Sequence, residues 1–484
     1  MSGWRLEHTY AGLPALLHAA AAPTPVRDPQ LVVFNGILAE SLGLDVAALD
    51  TDAGAAIFGG NALPEGAQPL AQAYAGHQFG HFTALGDGRA ILLGEQVAPD
   101  GRRVDVQLKG AGPTPYSRRG DGRAALGPML REFVMSEAMH ALGIPTSRSL
   151  AVVSTGEPVQ RERALPGAVL TRIAASHVRV GTFEWVAAHR DEAALQQLVD
   201  YVAGRHYPDV ATSATPALAL FDAIVDRQAV LIAQWQLVGF VHGVMNTDNM
   251  SLAGETLDYG PCAFIDVYDP AAVFSSIDAH GRYAYGSQPA IAQWNLARLA
   301  EALLPLIDAD SARAVSLAND AIARFEERFA QAWLHGMRAK LGLFTVEADD
   351  AELAHGLLAW MRDTRADFTN SFRGLSVSAS AAAASPVPAD AAFCAWRDRW
   401  QARQTRQAQT ATEMAALMQR HNPAVVPRNH QVEAALTAAV SAGDLDPLET
   451  LIGVLAAPYD AAAPAEFTSP PPPDSAPYRT FCGT

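Results

Sequence analysis

The sequence predicts an α+β fold in two parts, a strand-rich amino-terminal half and a mostly helical carboxy-terminal half. Three observations predict it. RRVDVQLKG, residues 102–110, alternates Val104, Val106 and Leu108 with Asp105, Gln107 and Lys109, the period of a strand. PMLREFVMSEAMHALG, residues 128–143, carries Leu130, Phe133, Val134, Ala138, Ala141 and Leu142 at helical spacing and stops at Gly143. From about residue 190 helical patterning dominates, broken by the loop GFVHGVMNTDNM, residues 239–250.

The elements follow in order. Residues 1–80 form an amino-terminal extension that mixes short helical signals with loops, including YAGHQFGHF, residues 74–82. LGDGRAILLGEQV begins with a tight Gly86-Asp87-Gly88 turn and continues as an apolar strand. After the alternating strand comes GAGPTPYSRRGDGRAALGP, rich in Gly, Pro and Arg, which leads into the helix. SRSLAVVSTG and ALPGAVLTRIA read as further strands. A hairpin, a lysine-bearing strand, a helix and more strands is the order of a kinase-like amino-terminal lobe, assigned to residues 81–185. Residues 186–375 then form a helical carboxy-terminal lobe, with short strands expected around MSLAG (250–254) and LDYG (257–260). Residues 376–390 are a low-complexity loop, and residues 391–484 a helical extension ending in the extended tail SPPPPDSAPYRTFCGT.

Composition narrows the function. The 484 residues are 49% hydrophobic and 18% charged, as globular chains are. A net charge of −16 argues against a general nucleic-acid or membrane binder, though local basic clusters still allow phosphate ligands. Cys262, Cys394 and Cys482 are too few and too scattered for a disulfide framework or a zinc site. The first residues lack a signal-peptide pattern, and no apolar run reaches the ~20 residues needed to cross a bilayer. A soluble, cytoplasmic protein is expected.

The chemistry concentrates in HGVMNTDNM. His242 and Asn249 keep the spacing of the protein-kinase loop H-R-D-x-x-x-x-N, and Asp258-Tyr259-Gly260 resembles the metal-binding D-F-G. Val244 occupies the place of the catalytic Asp, and a valine cannot take a proton. Asn249 and Asp258 are hard oxygen ligands suited to Mg²⁺, and Asp248 beside them is placed to accept a proton. Read alone, Lys109 is an ordinary exposed strand lysine; Glu132 or Glu137 on the following helix could pair with it and hold it on a phosphate. Gly86-Asp87-Gly88-Arg89 and Gly120-Asp121-Gly122-Arg123 repeat four letters, with glycines that admit close backbone approach and arginines that bind phosphate oxygens, although D-G also marks plain surface turns. Arg172 and Arg179, seven apart, would share one face of a helix. His77, His81 and His242 lack metal-ligand spacing and read as structural. No P-loop, G-x-S-x-G or H-E-x-x-H motif is present.

Together YAGHQFGHF, LGDGRA, QLKGAGPTPYSRRGDGRAALGPMLREF, SEAMHALGIPTSRSL, SHVRVGTFE, HGVMNTDNMS and LDYGPCAFID resemble the selenoprotein O family, also called YdiU, over most of residues 70–300, with HNPAVVPRNHQVEAAL extending the match. The resemblance implies a bilobal, kinase-like fold that transfers AMP from ATP onto Ser, Thr or Tyr hydroxyls of other proteins. It implies a flipped nucleotide, with the α-phosphate at the catalytic residues and the γ-phosphate deep in the pocket. It makes Asp248 the base, Asn249 and Asp258 the Mg²⁺ or Mn²⁺ ligands, and Lys109 with Glu132 the phosphate pair. Gly86, Gly88, Arg89, Asp121, Gly122, Arg172 and Arg179 match nucleotide-contacting positions, as does Asp258. The alternatives are a small-molecule or protein kinase, against which the missing Asp at Val244 speaks, a UMP transferase using UTP and Mn²⁺, and a nucleotide-binding pseudokinase scaffold. The family often carries a Cys or selenocysteine near its end, as Cys482 here. Some bacterial relatives add a Cys shortly after Y-D-P, but Tyr268-Asp269-Pro270 is followed by AAVFSSID, so that pairing is not available unless Cys262 or Cys394 substitutes.

Overall fold

Antiparallel pairing organises the first third of the chain in this computed structural model, which describes residues 2–210, 212–378, 390–472 and 478–480. In chain order the strands are β1 (Leu6–Glu7), β2 (His18–Ala20), β3 (Gln30–Phe34), β4 (Leu70–Gln72), β5 (Ala75–Gln78), β6 (His81–Ala84), β7 (Ala90–Val97), β8 (Arg103–Lys109), β9 (Ala124–Ala125), β10 (Arg148–Gln160) and β11 (Ala164–Ala174). Nine of them form one sheet in the order β2-β4-β7-β8-β11-β10-β3, with β1 on β7 and β9 on β11. β5 and β6 stand apart as a two-stranded hairpin. The sheet therefore draws β1 to β4 from residues that the sequence pattern reads as loops and short helices. Those strands are two to five residues long, too short for a periodicity to register.

β8 shows why the alternating pattern forms a central strand. Val104, Val106 and Leu108 enter the core, and the polar face is buried as well. Asp105 is bonded to His177 and Arg205, Gln107 to Asp87 and Arg172, and Lys109 to Glu132 and Asp258. The exposed lysine that the strand pattern suggests in isolation is thus 7% exposed, because neighbouring elements bring ionic partners to that face. Register does the rest. Arg172 on β11 lies opposite Gln107, so it shares the face that carries Lys109.

That register also corrects the helical reading of Arg172 and Arg179. Arg172 is a strand residue, and Arg179 is the N-cap of the Val180–His189 helix. The chain turns between them, so a helical seven-residue spacing does not apply. MSLAG and LDYG are likewise not strands. Met250 and Ser251 make isolated bridges, and the pairing is instead between β12 (Phe240–Val241) and β13 (Ala263–Phe264). Asp258 has φ +64, a left-handed backbone that ends any extended run there.

The helix Leu126–Ala141 buries Leu130, Phe133, Val134 and Ala138 against β10 and β11. Leu130→Ala there would cost about 2–5 kcal/mol through the cavity left behind. In the helical half, Pro216–Val238, Gln288–Ile307 and Ser311–Lys340 pack on one another. Proline opens the first of these, and Gly239, at φ +77, ends it in the conformation that only glycine adopts freely. A separate apolar cluster joins Phe368, Phe372, Trp396 and Trp400 further along the chain. Of the expected low-complexity loop 376–390, residues 376–378 belong to the helix Phe368–Ser378, and Asp390 caps the helix Ala391–Gln404. Residues 379–389 and Cys482 lie outside the described residues. Cys262 is buried and Cys394 half-buried, and neither is bridged among the described residues. No described helix is long and apolar enough to cross a membrane.

Candidate active site

A cleft of about 740 Å³ gathers the sequence-predicted residues. Gly86, Gly88, Arg89, Lys109, Asp121, Gly122, Glu132, Arg172, Arg179, Asp248, Asn249 and Asp258 all border it. They come from β8, β11, two glycine turns, the helix Leu126–Ala141, the N-cap of the helix Val180–His189 and the loops after β12.

Its centre is a buried ionic network. Lys109 Nζ donates to Glu132 Oε2 at 2.6 Å and to Asp258 Oδ1 at 3.2 Å. Arg172 Nε and Nη2 donate to Glu132 Oε1 at 2.9 and 2.6 Å, and Nη2 also reaches Asp258 Oδ1 at 2.6 Å. Arg179 Nη1 donates to Asp258 Oδ2 at 3.0 Å and to the Asp248 carbonyl at 2.8 Å. Three cations, Lys109, Arg172 and Arg179, meet two carboxylates, Glu132 and Asp258, so the network carries one excess positive charge. Such a surplus suits polyphosphate. Glu137, the other helix acid, is occupied elsewhere: it accepts from Arg148 Nε at 2.9 Å and from Asn35 Nδ2 at 2.7 Å.

The two acids of the catalytic loops are driven apart. Burial raises the proton affinity of Asp258, but Arg172, Lys109 and Arg179 overcome it and hold the carboxyl well below the usual range. Burial also raises Asp248, which Arg179 only partly opposes, and its pKa is pushed up to about 6. Asp248 Oδ1 is buried with no hydrogen-bond partner. Fixed cations thus favour the charged form of one acid while burial favours the protonated form of the other, the division of labour that acid–base sites use. Burial lowers the proton affinity of Lys109 and Arg172 adds to the effect, while Glu132 and Asp258 pull the other way.

Asn249 and Asp258, the residues that the sequence resemblance assigns to a divalent ion, both border the cleft. Asn249 Nδ2 donates to Val244 O at 2.9 Å, while Asp258 Oδ1 accepts from Lys109 and Arg172 and Oδ2 from Arg179. Two hard oxygens suit Mg²⁺, which keeps waters and shares phosphate oxygens. Among the described residues no group of three or more His, Cys, Asp or Glu gathers, so such an ion would rest on these two oxygens and on the substrate.

The glycine turns are packing requirements as well as phosphate-approach signals. A Cβ on Gly86 (φ +99) would lie 2.5 Å from the Tyr116 ring, and one on Gly122 (φ +67) 2.1 Å from the Gly112 carbonyl. The repeated G-D-G letters also diverge. Asp121 sits at the rim, paired with Arg161 at 2.9 Å. Asp87 is buried, accepts from Gln72 N and Gln107 Nε2, and is raised by burial to about 6 with Arg179 opposing.

His242 has the structural role expected of it. It bonds Leu257 O at 2.9 Å and stacks on Trp235. Tyr259 also borders the cleft, and its hydroxyl is hydrogen-bonded to Thr146.

Pattern reading missed several residues of the site. Tyr74 lies under the Arg179 guanidinium, 4.4 Å from ring centroid to charge. Asn246 and Thr247 are bonded to the β5–β6 hairpin, and Glu184 to His77. The signal was present in YAGHQFGHF, a stretch dense in glycine and aromatic residues, but nothing in it specifies partners about 170 residues away.

Residues 7–456 match the family described as protein adenylyltransferase SelO. A protein nucleotidyltransferase YdiU of Halalkalibacterium halodurans is 57% identical over 485 residues, covering 100% of this chain and 98% of that protein. Proteins of the same name from Bacillus cytotoxicus and Brevibacillus brevis are each 55% identical, again over 100% of this chain and 98% of theirs.

Proposed function

The chain belongs to the protein adenylyltransferase SelO family and is a nucleotidyltransferase, and on that premise we propose that it moves AMP from ATP to Ser, Thr or Tyr hydroxyls of target proteins. The fold we read as kinase-like, with the nucleotide bound in flipped orientation. One observation carries this reading: Val244 fills the position of a kinase base, while Asp248, four residues on, brings a buried carboxyl group to the same cleft.

Lys109, Arg172 and Arg179 hold the β- and γ-phosphates deep in the cleft, which leaves the α-phosphate beside Asp248 and Asn249. Asn249 and Asp258 would hold Mg²⁺ or Mn²⁺, which would neutralise phosphate charge and orient the transferring group. Asp248 takes the acceptor hydroxyl's proton as the oxygen attacks the α-phosphorus. The bond from that phosphorus to the β-phosphate bridging oxygen breaks, and pyrophosphate leaves. The protein's contribution is positioning and charge neutralisation, the terms that dominate phosphoryl-type transfer.

The test uses ATP labelled at the α- or the γ-phosphate, with wild type, Asp248→Ala and Val244→Asp side by side. Wild type should incorporate only the α-label. Asp248→Ala should lose ~10²–10⁴-fold in transfer and still bind nucleotide. Val244→Asp should gain no γ-label, because cations and not the loop set the orientation. Incorporation of γ-label by wild type makes the protein a kinase, no incorporation makes it a nucleotide-binding scaffold, and near-normal transfer by Asp248→Ala removes the base assignment.

A further inference from the structure

The loop Asn246-Thr247-Asp248-Asn249 divides into two pairs. The function just proposed uses Asp248 and Asn249, whereas Asn246 and Thr247 face the β5–β6 hairpin. Thr247 Oγ1 accepts the His77 backbone N–H at 2.7 Å and donates to Glu184 Oε2 at 2.6 Å. The other Glu184 oxygen lies 2.5 Å from His77 Nδ1. His77 is therefore gripped through both its backbone and its ring. Two residues on, Asn246 Oδ1 accepts the Phe79 N–H at 3.0 Å and the Tyr283 hydroxyl at 2.6 Å.

The hairpin between these anchors is tight and strained. Phe79 and Gly80 form its turn with φ +52 and +90, and a phenylalanine in that region persists only where its surroundings impose it. Its first strand lies directly on the candidate base. A Cβ on Gly76 would fall 2.2 Å from Asp248 Oδ1, and one on Gly181, in the first turn of the helix that carries Glu184, would fall 1.9 Å from the Ala75 carbonyl. Gln78 and Phe79 then border the cleft itself.

We propose that Glu184, His77 and Thr247 are positioning residues for nucleotide transfer, locking the β5–β6 hairpin onto the loop so that its Gly76 backbone closes one side of Asp248 and leaves the carboxylate one direction, toward the acceptor hydroxyl. This rests on the transfer reading for its catalytic consequence, but the lock itself does not. Glu184 and His77 bond no cation of the phosphate network, so their loss acts on the acceptor side of the cleft and spares ATP.

Two measurements on Glu184→Gln, Thr247→Val and Thr247→Ser separate the parts. Hydrogen exchange by mass spectrometry on peptides spanning residues 74–84 reads the lock without any substrate. Exchange should accelerate at least about tenfold in Glu184→Gln and Thr247→Val and stay near wild type in Thr247→Ser, which keeps the hydroxyl. Transfer from α-labelled ATP reads the consequence: kcat should fall about 10- to 100-fold in the first two variants, as for a reacting group displaced by an ångström, with the Kd for ATP within twofold and Thr247→Ser rescued. Unchanged exchange in a well-folded Glu184→Gln overturns the lock. Faster exchange with full kcat overturns the positioning role, and so does a loss that appears equally in ATP affinity. Faster exchange in a protein whose wild type transfers no label refutes the transfer reading instead and leaves the lock standing.

Discussion

Lys109 and Lys340 are the only lysines in the chain, both are buried, and they occupy opposite surroundings. Lys109 ends a strand between Glu132 and Asp258, with Arg172 and Arg179 completing the network. Lys340 ends a helix in the carboxy-terminal core. Its Nζ lies 4.1 Å from the Phe372 ring centroid and 5.6 Å from that of Phe368, and donates to the His421 carbonyl at 3.5 Å. Among the described residues no carboxylate pairs with it. Burial alone pulls Lys340 down to about 7, whereas burial and Arg172 lower Lys109 against the pull of two carboxylates. A buried charge that already has ionic partners at the edge of a cleft can be shared with a phosphate. A buried charge surrounded by rings and one distant carbonyl is a cost that the local packing absorbs.

The contrast can be broken most severely at Asp258. Asp258→Ala removes the acid that binds all three cations and that we propose as a metal ligand, and transfer should drop on the order of 10³-fold or more with the fold retained. A well-folded variant with full incorporation of α-label would mean that the network is structural, like the surroundings of Lys340.

Exchanging each lysine for methionine compares the two sites directly. Lys109→Met should cost on the order of 10²-fold in kcat/KM, while Lys340→Met stays within twofold of wild type. Similar losses in steady-state transfer assays would erase the distinction.

A smaller effect tests which phosphate the cations hold. Arg172→Gln or Arg179→Gln removes a charge-assisted contact worth roughly 1.5–3 kcal/mol. ATP should therefore bind on the order of tenfold more weakly, with ADP much less affected. Calorimetric titrations giving equal losses for ATP and ADP would contradict a γ-phosphate at these arginines.

The smallest effect is on stability. Lys340 carries a folded-state pKa of about 7 against the usual 10.5, so between those values the unfolded chain binds more protons and stability rises with pH. Below pH 7 both states are protonated and the full burial penalty remains. Lys340→Met should thus stabilise the protein on the order of 1 kcal/mol or more at pH 6, with the gain fading toward pH 10. Denaturant titrations at the two pH values check this, and a gain independent of pH would assign it to packing.

Much of the site was legible because its residues are chemically unusual where they stand. A lysine closing an alternating strand, an Asn and an Asp around a broken kinase motif, and arginines in apolar runs are all visible in one dimension. Partners were not. Glu132 and Glu137 lie five residues apart on one helix, and only packing sends the second to Arg148 and Asn35. Arg172 and Arg179 meet at Asp258 from a strand and a helix cap, not from one helical face.

The sequence by itself determined the periodic elements, such as the strand Arg103–Lys109 and the helix Leu126–Ala141, together with the residues able to carry chemistry and the family they resemble. Periodicity suffices for that because it records which face of an element avoids water. The tertiary structure alone decided that the polar face of β8 is buried, that Gly76, Gly86 and Gly122 tolerate no side chain, that Asp248 keeps a near-neutral proton while Asp258 stays charged, and that the hairpin rests on Thr247. Each of these depends on distances between groups such as Lys109 and Asp258, 149 residues apart and 3.2 Å from contact atom to contact atom. Burial and Coulomb energies follow those distances and not the order of the chain.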